Sequence, residues 1–315
     1  MTTFFYLAIY VALAVFLAAC AVRAISYARL PIHLRWELYP VPHDDPALVE
    51  HGGSYFEVTD WWKFPLHVNH LGDLKVMVPE ILLLRGLKKF NPALWYSSFP
   101  FHFGLYLLIG SMVMVFVHAL LPTTAAASWM VMVAAVLRDL ILMTAVLGSG
   151  LSIVGAIGLL VRRFTDAKLR DYTTPADIFN LIFFIAAFGL LWAGYFLRQP
   201  GQAGPLAIAH GLLHFDRTVP VSGLLAVGLV LSAVLLAYIP LTHMSHFIAK
   251  YFTYHSIRWD DKPNLPGSKI TLKLAEYLTY RPTWSAAHVG ADGSKNWVEV
   301  VSSAPPNLLN KEKKS

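Results

Sequence analysis

The sequence predicts an all-α membrane protein of five transmembrane helices, with its N-terminus outside and its C-terminus inside. Three observations carry this. Hydrophobic residues make up 56% of the 315 and charged residues only 14%. Five apolar runs, at 4–27, 98–121, 139–161, 177–198 and 219–250, are each long enough to cross a hydrocarbon core of about 30 Å. Basic residues gather in alternate connections, which orients the chain by the positive-inside rule.

The first run, within MTTFFYLAIYVALAVFLAAC, has no basic n-region and no clear cleavage break. It reads as a retained span, with a removed signal peptide as the alternative. The connection 28–97 carries Arg29, Arg35, Arg85, Lys88 and Lys89, following Arg23 in the first span, and belongs inside. Its segment DLKVMVPEILLLRGLKKF mixes apolar and basic positions at helical spacing. It is either an interfacial helix in the headgroup layer or a connecting helix packed on the inner face. The second run is followed by the uncharged loop LPTTAAASWM; the third is followed by Arg162, Arg163, Lys168 and Arg170. The fourth-to-fifth connection has only Arg198 and Arg217. In the fifth run Pro240 lacks an amide N–H and should bend the helix just before His243 and His246. The domain organisation is therefore a first span at 1–27, an inner connection at 28–97, a four-helix core at 98–250 and an inner tail at 251–315. Trp61, Trp62, Trp259 and Trp284 are candidate anchors for a partner or for the membrane surface.

The net charge of +6 suits loop orientation and lipid headgroups, and no basic aromatic groove suggests nucleic acid. Cys20 is the sole cysteine, so neither an iron–sulfur cluster nor covalent c-type haem attachment can be built from this chain alone.

Ionisable residues inside a membrane span are costly and mark function. His102, in PFHFGLYLLIG, enters from the inner face and His246, in IPLTHMSHFIAKYF, exits toward it. Both therefore lie at one depth, where two neutral imidazoles can ligate the iron of a b-type haem. The competing reading is two histidines satisfied by carbonyls or headgroups. His118 lies about 24 Å further along the same helix, on nearly the opposite side of it. With His210 or His214, from AHGLLHFD, it is a candidate ligand of a second haem, or else a cap or quinone-site residue. His243 is a weaker ligand candidate, better suited to a propionate, a carbonyl or the interface. His67 and His70 read as surface or interface residues.

These residues resemble the gamma subunit of respiratory nitrate reductase, a five-span cytochrome b, over roughly 95–250. The resemblance is carried by PFHFG, by LLVRRF followed by LRDYTTPADIFN, and by PLTHMSH. RWELYPVPHDD and SHFIAKYFTYHSIRWDD bring the chain nearer to the cytochrome b subunits of heterodisulfide-reductase-like transmembrane complexes of sulfate-metabolising prokaryotes.

The resemblance implies a multi-pass subunit of the prokaryotic inner membrane that exchanges electrons between a menaquinone pool and an iron–sulfur subunit on the cytoplasmic face. It leaves room for further membrane or periplasmic cytochrome subunits. It implies His102 and His246 as haem b ligands. Arg162 and Arg163 match the family's basic pair and are propionate candidates, or plain positive-inside residues. Arg138 and Asp139 occupy the neighbourhood of the family's quinone site, or form an interfacial ion pair. The chain departs from the family at Met112 and Gly228, which stand where the family's distal haem ligands are. Two other readings remain: a haem-free anchor for a cytoplasmic-face enzyme, and a transporter, whose usual paired interrupted spans are missing.

Overall fold

A backbone in hydrocarbon must satisfy its own hydrogen bonds, and a helix does so within one segment. The computed structural model describes residues 2–29, 63, 70–119, 128–221, 223–252, 266–283 and 291–303. Among these the regular elements are helical, with no strand. Five helices are long and apolar enough to cross a membrane. They are α1 (Thr2–Arg29), α4 (Pro92–Ala119), α5 (Ser128–Thr165), α7 (Pro175–Phe196) and α9 (Gly223–Tyr238), the last reaching the needed length with the tight turn that carries it on to Leu241. Short helices join them: α2 (His70–Leu83), α3 (Arg85–Phe90), α6 (Ala167–Arg170), α8 (Pro205–His214) and α10 (His246–Phe252).

Several boundaries differ from those expected. The helix of the third span begins at Ser128, upstream of the apolar run expected at 139–161, because the apolar WMVMVAAVL stretch continues the helix. Arg138 and Asp139 thus sit within α5, and the helix runs about 36 Å from Arg138 to Arg162 at ~1.5 Å per residue. Charged residues bracket a span of roughly bilayer thickness. The fifth run is broken rather than bent. Helix α9 ends at Tyr238, two 3-10 turns cover Ile239–Leu241 and His243–Ser245, and α10 starts at His246. Pro240 supplies the physical reason, and the Thr242 hydroxyl caps the second turn by accepting from the Met244 N–H at 3.3 Å. The start of α7 follows from its sequence: Thr174 and Asp177 form a capping box and Pro175 opens the helix.

The chain divides into two compact units, Met1–Ala24 with Asn69–Phe247, and Ile25–Val68 with Ile248–Ser315. Helices α2 and α3, expected within the inner connection, belong with the bundle. The Tyr106 hydroxyl of α4 donates to the Ile81 carbonyl at 2.8 Å, and the Trp95 Nε1–H to that of Leu83. Leu71, Leu74, Val78 and Leu82 of α2 are exposed, leaving an apolar flank open to lipid or a partner.

Within the bundle, small residues set helix spacing, as expected where lipid removes any hydrophobic drive between helices. A Cβ on Gly104 would collide with the Gly148 carbonyl and with Ser152, and one on Gly155 with the Phe101 backbone; α4 and α5 therefore touch closely. Phe101, Ala156, Leu181, Phe184, Phe188 and Leu235 form the core of α4, α5, α7 and α9. Helix α1 is held at both ends. Its Tyr6 and Tyr10 hydroxyls donate to the Asp216 and Leu212 carbonyls at 2.8 and 2.6 Å, and Arg23 reaches the break after α9. In the other unit, α11 (Lys269–Leu278) and α12 (Trp297–Ser302) are linked by the Gly293 N–H to Pro282 carbonyl and Trp297 N–H to Tyr280 carbonyl bonds.

Candidate functional site

At the end of the bundle that carries Arg162, His102 lies one turn beyond Ser98 in α4, so its ring can reach back along the helix. Its Nδ1 stands 2.8 Å from the Ser98 carbonyl oxygen. A carbonyl only accepts, so Nδ1 bears the proton and Nε2 keeps its lone pair. The ring is thereby turned into the tautomer and orientation of a metal-ligating imidazole. His246 opens α10, immediately after the two tight turns. Its ring centroid is 6.3 Å from that of His102, with the planes inclined at 60°.

That spacing has a chemical meaning. Imidazole–metal bonds of about 2.0–2.1 Å, with each nitrogen ~1.1 Å from its ring centre, put two axial rings about 6.2 Å apart across one metal. Among the described residues no group of three or more His, Cys, Asp or Glu gathers as a protein-only cage. A haem brings its own equatorial nitrogens and asks the protein for two axial ligands. The donor set at His102 and His246 fits that requirement.

The break that places His246 is secured from another helix. Arg23 of α1 donates through Nε to the Pro240 carbonyl at 3.1 Å and through a terminal nitrogen to that of Leu241 at 3.4 Å. These are carbonyls left without helical partners at a C-terminus, where the helix dipole also favours a cation. Sequence reasoning had counted Arg23 only as an orienting charge.

Arg162 pairs with Asp166 at 2.8 Å, and its buried Nε has no hydrogen-bond partner among the described residues. Arg163 meets the Thr173 hydroxyl at 3.3 Å and Asp177 Oδ1 at 3.4 Å. Both guanidiniums already hold a carboxylate while keeping further N–H groups.

His243 belongs to a second polar group that the sequence reading did not assemble. Its Nε2 is 3.5 Å from Asp177 Oδ1 and 3.4 Å from Asn180 Nδ2, while the Tyr238 hydroxyl donates to Asn180 Oδ1 at 2.9 Å. The available signal was a pair of polar residues, Asp177 and Asn180, one turn apart in an otherwise apolar helix.

At the opposite end, Arg138 and Asp139 form an ion pair at 2.9 Å with side chains 55% and 68% exposed. The His210 and His214 ring centroids lie 4.1 Å apart with the planes tilted by 35°, too close to admit a metal between them, and His214 Nε2 contacts the Ala119 carbonyl at 3.2 Å. This brings His214 to the end of α4 that carries His118, but no ring contact joins His118 to either histidine as one joins His102 to His246. Gly228 is closed: a Cβ there would lie 2.6 Å from the Leu191 nitrogen. Met112 is exposed. The Asp216 carboxyl, in the loop beyond α8, is held below its ordinary value by hydrogen bonds from the Thr218 hydroxyl and N–H. His67, Trp61, Trp62, Trp259 and Trp284 lie outside the described residues. Comparison with protein-family models, with curated proteins and with solved structures returned no match.

Proposed function

We propose that this chain is the haem b membrane subunit of a respiratory complex, exchanging electrons between the quinone pool and an iron–sulfur subunit on the cytoplasmic face. The observation that supports it is the His102–His246 pair: two imidazoles from separate crossings, 6.3 Å apart, one with its distal nitrogen already committed to a carbonyl. Haem bound there would supply one-electron chemistry, and the single cysteine assigns the clusters to a partner.

The protein's own contribution is positional. Ser98 fixes one ring, and Pro240 with Arg23 fixes the other. Arg162 and Arg163 stand at the same end of the bundle as candidate propionate partners. The chain is read with this end on the cytoplasmic side of a prokaryotic inner membrane, because its basic connections lie there.

The test is a reduced-minus-oxidised visible spectrum of the purified chain. A b-type alpha band is expected, and His246→Ala should remove one haem's worth of iron and absorbance per polypeptide. A folded protein with no such band would leave the haem-free anchor as its function.

A further inference from the structure

We propose that the polar group around His243 is the headgroup site for a membrane quinone, placed at the same end of the bundle as His102 and His246. The inference rests on the redox reading above and locates its lipid-soluble substrate.

Proton positions follow from the network. The Tyr238 hydroxyl donates to Asn180 Oδ1, which fixes the amide and turns its NH2 toward His243 Nε2 at 3.4 Å. In the neutral ring Nε2 accepts that bond, so Nδ1 carries the hydrogen. Nδ1 has no partner in the group, and the side chain is 60% exposed. A donor is thus held ready at the rim of the bundle. Asp177 stands beside it: Oδ2 is taken by the Thr174 N–H and hydroxyl, and Oδ1 meets Arg163 at 3.4 Å and lies 3.5 Å from His243 Nε2, with which it pairs only when the ring is protonated, a state in which Nδ1 also carries a hydrogen.

The surroundings match a flat apolar ring with carbonyl acceptors. Tyr238 packs against Phe179 and Phe183 at 5.9 and 5.8 Å. Phe179 and Ile182 of α7 and Leu241 beyond α9 are exposed, giving an aromatic and aliphatic approach from the lipid side. Such a site offers few oriented polar groups on apolar walls, as ligand sites generally do.

Distance favours this end over the other. Arg138 and Asp139 lie about 36 Å along α5 from Arg162, and electron tunnelling falls exponentially with separation. A quinone there needs an intermediate carrier, yet Gly228 is closed by α7 and Met112 faces outward. His243 lies one turn from His246, within direct reach.

The test is photoaffinity labelling of the full chain in membranes with an azido-naphthoquinone, competed by excess unmodified naphthoquinone and mapped by peptide mass spectrometry. Competable label is expected on segments 175–183 and 238–247. His243→Leu and His243→Gln should weaken apparent affinity about tenfold, as for one lost hydrogen bond. His243→Asn, which restores a donor near the Nδ1 position, should remain within about threefold of the parent. An unchanged visible haem spectrum shows that each variant is folded. Competable label around 138–139, or full affinity in His243→Leu, overturns the site but not the quinone reading. Absence of competable label anywhere, with the haem spectrum intact, overturns both.

Discussion

Arg23 shows how one side chain can set the geometry of a site it does not touch. Its guanidinium satisfies the Pro240 and Leu241 carbonyls, which a proline-broken helix otherwise leaves to lipid or water. Replacing it with glutamine removes the charge and part of the donor fork, at a cost of about 1–2 kcal/mol. The expected outcome is a protein that inserts normally but whose haem signal, read by low-temperature electron paramagnetic resonance, is shifted or broadened because His246 is less firmly placed. Unchanged signals would mean that the break holds itself. His102 is less dependent on its neighbours, because the Ser98 carbonyl belongs to its own helix.

Among the elements, the α7–α9 contact sets a limit on what the bundle can bind. Gly194 and Gly228 let the two helices approach to backbone contact at Leu225 and Leu191, so the interior at that level is filled by main chain. Gly228→His should therefore create no new haem site. It should instead lower thermal stability by about 1–3 kcal/mol through overpacking, measured by unfolding in detergent alongside haem-to-protein ratio. A gain of one haem per chain would show that the helices can separate. Helix α5 makes the complementary point: it is the longest helix, and the close approach of Gly104, Gly148 and Gly155 keeps α4 against it.

For the molecule as a whole, the direction of the bundle decides which compartment faces the end that carries His102 and His246. With Cys20 replaced by serine, single cysteines at Lys168 and Thr218 should react with impermeant maleimide from opposite sides in intact cells and inverted vesicles, Lys168 being accessible from the cytoplasm. The reverse pattern would place His102 and His246 at the outer face and require the partner there. Of the two compact units, one holds the helices long enough to cross a membrane, apart from the last turn of α1, and the other carries α11 and α12.

The sequence by itself determined the number of long apolar helices and the disruption at Pro240, because each depends on local physics. Apolar length and a missing N–H act within a few residues. Counting crossings also puts His102 and His246 at one end. Only the tertiary structure decided that their rings stand 6.3 Å apart, that Arg23 closes the break, that Gly228 has no room for a ligand, and that Asp177, Asn180 and Tyr238 converge on His243. The reason is that membrane helices are apolar nearly all round, so their periodicity marks no inward face. Which faces meet is settled by small-residue packing and by a few buried polar contacts between distant parts of the chain.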